Sequence, residues 1–197
     1  MRESMKFFSL LALLAAIAIF SGSALAQTSI SDLQTELQSG RIAVEIMRGN
    51  GSSSGMAIEG KIRNTSPITI RINTDLLRPM YLGNRTSKSR QNMIAFSLYE
   101  RGGRFYTDGN NSFIEVPPNQ SMDVDLIAYC ADFEKDNPSS ADQFEISEVP
   151  PEISGIAQKI AHYKRRNPNV DVTIAAQVAL WLVQGLSPDE IRTTFQF

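Results

Sequence analysis

Between residues 41 and 130 the chain is written in period two, and this alternation limits what it can fold into more than any other feature. "RIAVEIM" sets Ile42, Val44 and Ile46 against polar or small neighbours, and "GMAIEGKIRN" repeats the pattern with Met56, Ile58 and Ile62. "ITIRIN" places Ile68, Ile70 and Ile72 on one face, "NMIAFSLYE" places Ile94, Phe96 and Leu98, and "SMDVDLIAYC" places Met122, Val124, Leu126 and Ala128. Successive side chains of a strand point to opposite faces, so each stretch predicts a strand with one buried face. The separators "RGNGSSSG", "ERGGR", "TDGNNS" and "VPPNQ" are rich in turn formers. Roughly six to eight short strands at this spacing, with no helical pattern between them, predict a mainly β protein built on an antiparallel Ig-like β-sandwich.

The flanks read differently. "SISDLQTELQSG" closes a helical lead-in, residues 27–40, that ends at Gly40. After Cys130, residues 131–151 form a polar, Pro-punctuated linker. Residues 152–197 predict a small C-terminal helical segment of two or three helices packed on the sandwich. In "ISGIAQKIAHYKRR", Ile153, Ile156, Ala157 and Ile160 fall at helical spacing, with Lys159, His162 and Arg165 on other faces. A second helix runs from about Val172 to Gln184 and is closed by Gly185. The third opens at "SPDEI", with Ser187 as N-cap, Pro188 in first position and Glu190 completing a capping box.

The first 26 residues, "MRESMKFFSLLALLAAIAIFSGSALA", have the layout of a signal peptide: a basic start, an apolar run from Phe7 to Phe20 and a small-residue ending at Ala26. The run is shorter than the roughly 20 residues a membrane span needs. The expectation is therefore a secreted, periplasmic or extracellular chain cleaved after Ala26, with no membrane span in the mature part. Net charge is −2 over the full chain. That mild acidity offers no electrostatic reason to expect nucleic acid, and "NRTSKSR" reads as a solvated loop. The partners this leaves are extracellular or cell-surface proteins or glycans.

The compositional oddity is Cys130, the single cysteine of the chain. Exported domains use cysteines in pairs, so an odd one points to a free thiol, an intermolecular disulfide or other chemistry. Cys130 shares parity with Met122, Val124, Leu126 and Ala128 and should point inward at the end of its strand. Downstream, Gln177 interrupts a helix whose other residues, from Val172 to Val183, are apolar in nearly every direction, the mark of a buried helix. An inward thiol and a glutamine on a core helix could meet. A thiolate attacking the Gln carboxamide carbon expels ammonia and leaves an internal thioester, activated toward amines and hydroxyls. A nearby aromatic, Trp181, would shield it from water.

"YCAD" followed by "AAQVALW" resembles the paired motifs of the thioester (TQXA-type) domains of secreted bacterial surface adhesins. The resemblance implies that Cys130 is the thiol partner and Gln177 the acyl partner, with Tyr129, Ala179 and Trp181 as motif neighbours. Ala176 stands where the motif's name has Thr. It further implies covalent attachment to surface amines, by binding instead of turnover and without a cofactor.

Other readings compete. Cys130 can be a small core hydrophobe, since free cysteine is among the most buried residue types. Thr173, Gln177 and Gln184 can form a narrow polar stripe facing solvent. The chain would then be a noncovalent carbohydrate- or protein-binding sandwich of unknown ligand. A Cys130–His162 nucleophile pair oriented by Asp132 is weaker, because His162 lies on the polar side of its helix and Cys130 ends a strand. No metal is expected: Asp123 and Asp125 point outward, and "DGNN" at 108–111 lacks the spaced acids of a Ca²⁺ loop. No phosphate-binding Gly loop or Gly-x-Ser-x-Gly elbow occurs. The NxS/T triplets at Asn64 and Asn84 read as surface-loop signals.

Overall fold

A computed structural model describes residues 29–195 of the chain, so the signal peptide expected over residues 1–26 lies outside the described residues. The protein is mainly β. Its strands are β1 (Ile30–Ser31), β2 (Ile42–Gly49), β3 (Ser54–Asn64), β4 (Ile70–Asn73) and β5 (Asp75–Asn84), followed by β6 (Met93–Glu100), β7 (Tyr106–Asp108), β8 (Asn111–Val116), β9 (Ser121–Cys130) and β10 (Phe144–Ser147). Four helices accompany them: α1 (Leu33–Gln38) near the start, then α2 (Pro151–Arg166), α3 (Thr173–Leu182) and α4 (Pro188–Phe195). A small sheet has the order β1-β4-β8-β7 and a large one β10-β5-β6-β9-β3-β2. All pairs are antiparallel except β1 with β4.

The two sheets pack face to face. Ile70, Ile72, Ile114 and Val116 of the small sheet meet Ile58, Ile62, Leu82, Val124 and Leu126 of the large one in a common core. The edges of the large sheet approach each other, so the sandwich is half-way to a barrel. Arg48 and Gln143 form an isolated bridge, and the Gly49 N–H donates to the Asp142 carbonyl at 3.0 Å. The other face of the large sheet is covered too. Ile94, Phe96, Tyr129 and Ala131 pack against Ile153, Ala157 and Ile160 of α2 and Ala176 and Leu180 of α3. The layering is therefore sheet, sheet, helix, with β6 and β9 buried on both sides.

Single-residue bulges correct the expected parities. In β2 the register shifts between Val44 and Ile46. Met47 consequently turns inward, while Val44 and Ile46 are 36% and 48% exposed, not buried as the alternation predicts. A shift between Met56 and Ile58 likewise leaves Met56 exposed. In β6 the shift lies between Ala95 and Ser97, so Ile94 and Phe96 face the helices while Leu98 faces the sandwich core. Ile68 precedes β4 and is exposed.

Three further expectations need correction. The lead-in is not helical throughout, because Ile30 and Ser31 form a strand beside β4. The 131–151 stretch is more than a linker, since β10 pairs with β5 within it. Asn64 is not a surface-loop residue: it is fully buried, donating to the carbonyls of Ile68 and Val116 while its Oδ1 accepts from Ser66. Helix ends follow their local signals. Gly40 and Gly185 stop α1 and α3 with φ of 71° and 101°. Ser187 and Glu190 bond reciprocally as a capping box on α4. No described helix is long and apolar enough to cross a membrane.

Candidate functional site

Strand β9 delivers Cys130 to the end of the large sheet. Its side chain shares the sandwich core with Ala128 and Leu126, as its parity predicts, and it is completely buried. On one side β9 pairs with β6, where Met93 stands opposite Cys130 and the Ala131 N–H donates to the Asn92 carbonyl. On the other side β3 runs out one residue early: its first residue, Ser54, pairs with Tyr129. The main-chain N–H and C=O of Cys130 therefore face a position that no strand fills.

Gln177 fills it. Oε1 of Gln177 accepts from the Cys130 N–H at 2.9 Å, and Nε2 donates to the Cys130 carbonyl at 2.8 Å. The carboxamide oxygen and the N–H on the same side of its C–N bond lie next to each other, so together they can pair with the N–H and C=O of one strand residue. The helix reaches this point because Ala176 and Leu180 bury against the Tyr129 face of the sheet, with Ala179 and Trp181 packed beside them. Small Ala side chains bring the helix axis close to the strand. Trp181 packs against both cores.

The thiol has its own partner: Sγ of Cys130 donates to the carbonyl of Ser53 at 3.0 Å. Burial, with the Asp132 charge as a second cause, pushes the thiol up from 9.0 to about 12. The resting side chain is thus a protonated thiol in a dry setting, and Gln177 is only 4% exposed. Tyr129 is buried with its ring 5.4 Å from that of Phe96. Burial raises the Tyr129 phenol, opposed by a hydrogen bond with Thr173.

The expected site residues thus meet, although α3 is not buried all round: Ile174, Leu182 and Val183 are exposed, and only Ala176, Gln177 and Leu180 are buried. The polar-stripe reading of Gln177 fails, because its carboxamide faces the sheet. The Cys–His reading fails on geometry as well. His162 is exposed on α2, and the Asp132 carboxylate is occupied by the Asn92 N–H, the Asn92 amide and Lys135. Among the described residues no cluster of three His, Cys, Asp or Glu side chains is disposed to hold a metal ion.

Sequence reasoning missed two features of the site. The Ser53 carbonyl as acceptor for the thiol had no signal beyond the glycine-rich loop around it. The main-chain role of Gln177 depends on where β3 ends. No family model, curated protein or solved structure matches the chain.

Proposed function

We propose that this protein is an exported adhesion-type binding domain that attaches covalently to amines on an extracellular or cell-surface partner, through a thioester between Cys130 and Gln177. One observation supports the reading: a buried carboxamide, 47 residues downstream, is bonded to both main-chain groups of the residue that carries the chain's single thiol. In the forming step the Cys130 sulfur adds to Cδ of Gln177. The Sγ–Cδ bond forms, the Cδ–Nε2 bond breaks, and the thiol proton leaves with the nitrogen as ammonia. The Cys130 N–H, already 2.9 Å from Oε1, stands where negative charge develops on that oxygen. For the step to occur the carboxamide must give up its bond to the Cys130 carbonyl and bring Cδ to the sulfur. In the capturing step an amine adds to Cδ, the Sγ–Cδ bond breaks, and the proton released by the nitrogen returns to sulfur. The product is an amide to Gln177 and a free thiol, so each molecule reacts once.

Intact mass of the non-reduced chain tests this. The expected result is a mass below that of the unmodified chain by one ammonia. Methylamine should then add to the protein with release of one thiol, and Cys130→Ala should abolish both. An unmodified mass, with Cys130 unreactive until denaturation, would overturn it.

The same geometry favours a second reading, in which Cys130 is purely structural and the sandwich binds a carbohydrate or protein noncovalently. Its support is that both polar atoms of the Gln177 carboxamide are already satisfied by the Cys130 main chain. A buried glutamine in an apolar helix then needs no further purpose.

A further inference from the structure

A cleft of about 590 Å³ opens beside the large sheet, away from the helix–strand contact just described. That volume lies within the roughly 300–1,000 Å³ of ligand pockets. Four separate segments build it: the β4–β5 junction, the end of β6 with the turn that follows, the β7–β8 hairpin tip, and the C-terminal end of α2 with the loop beyond it.

Three of its four charged side chains have partners within the fold. Asp75 Oδ1 accepts from the Ser97 hydroxyl at 3.0 Å and from Lys164 Nζ at 3.3 Å. The Arg165 guanidinium donates to the carbonyls of Leu76 and Leu77. Arg166 is the remaining cation of the lining. Besides Arg166, three neutral side-chain amides of the lining have no hydrogen bond to other described residues: Asn110, Asn111 and Asn169, all exposed. Each offers donors and an acceptor together. Beside them Phe105 is 48% exposed, whereas Phe96, Phe113 and Phe144 are buried. Its ring is held edge-on to Tyr99 at 5.7 Å, and the tight turn before it is fixed by main-chain bonds between Glu100 and Arg104. The exposed aromatic is therefore a rigid one.

A firmly held aromatic face next to unpaired amides suits a ligand with one apolar face and a rim of groups that both donate and accept. We propose that this cleft binds a neutral saccharide, with the C–H face of one sugar ring on Phe105 and its hydroxyls on the asparagine amides. Lys164 and Asp75 neutralise each other, while Arg165 and Arg166 keep positive charge without a carboxylate partner among the described residues, so an acidic sugar is the competing ligand to measure against. The site stands beside the covalent reading and does not depend on it.

The test is amide-resonance perturbation of the full mature chain, titrated with cellobiose, chitobiose, maltotriose and mannobiose, and separately with digalacturonate. The expected result is that at least one neutral sugar shifts resonances confined to the cleft segments. Phe105→Ala should weaken that binding about tenfold while leaving the rest of the spectrum in place. Asn169→Ala, on an exposed loop, should weaken it also, and Cys130→Ala should bind as the parent does. No shift with any neutral sugar would overturn the proposal. So would shifts outside the cleft, binding of the uronate alone, or affinity unchanged in both Phe105→Ala and Asn169→Ala.

Discussion

Cys130 and Gln177 are tied through main chain on one partner and side chain on the other, and this makes their substitutions unequal. Gln177→Ala leaves the N–H and C=O of Cys130 buried without partners, a loss of about 1–3 kcal/mol. Cys130→Ala keeps both groups paired and removes only a sulfur and its bond to Ser53, so about 1 kcal/mol is expected. Urea unfolding of the two variants checks the order, and a smaller loss for Gln177→Ala would contradict the described pairing. The free thiol also has a pH signature. Its value is about 12 in the folded chain against 9.0 as reference, and burial likewise lifts Tyr81 from 10.0 to about 12. Both shifts are upward, so the stability they confer is complete below pH 9 and drains away as pH climbs from about 9 to about 12. In Cys130→Ala the onset should move from near pH 9 toward pH 10, as read from unfolding midpoints across that range.

Among the elements, β2 and α4 carry the clearest tests. A Cβ on Gly49 would sit 2.5 Å from the Ser139 carbonyl oxygen, a main-chain atom that can yield only if its loop moves. Gly49→Ala should therefore push the 139–143 loop from the end of β2 and cost about 1–3 kcal/mol in denaturant unfolding. At α4, Glu190 lies below its usual carboxyl value because Ser187 bonds to it through its hydroxyl and its N–H. The shift is downward, so its contribution holds at neutral pH and is lost as pH falls through the lowered value. Amide protection in the first turn of α4, taken relative to the intrinsic exchange rate at each pH, should fall on acidification and in Ser187→Ala. The capping box and the two closing glycines were plain in the sequence because each is a local signal. The bulges were not: Glu45, Ala57 and Phe96 carry no mark of being the extra residue, and each puts the residues before it and after it out of phase with one another. The short "FEIS" of β10 was hidden in a polar stretch for the same reason, since pairing with β5 is what makes it a strand. That Cys130 points inward was legible from strand parity, whereas the bonding of Gln177 to its main chain was not, since it depends on where β3 ends. The Phe105 cleft was not, because its four segments converge only in three dimensions.

At the scale of the molecule, the C-terminal helices are the third layer of one body. Ile94, Phe96 and Tyr129 lie at or below 1% exposure only because α2 and α3 cover them. A chain ending at Pro150 would bare that face, and it should bind hydrophobic dyes and aggregate where the full chain does not. The site inherits a schedule from this layering. Cys130 belongs to the ninth strand and Gln177 to the next-to-last described helix, so a chain still emerging from the ribosome carries a thiol with no carboxamide beside it. Cyclisation would have to wait for the last layer to dock. Under the proposed thioester reading, a reactive bond made in that order would be absent from every incomplete form of the protein and would arise only in a finished one.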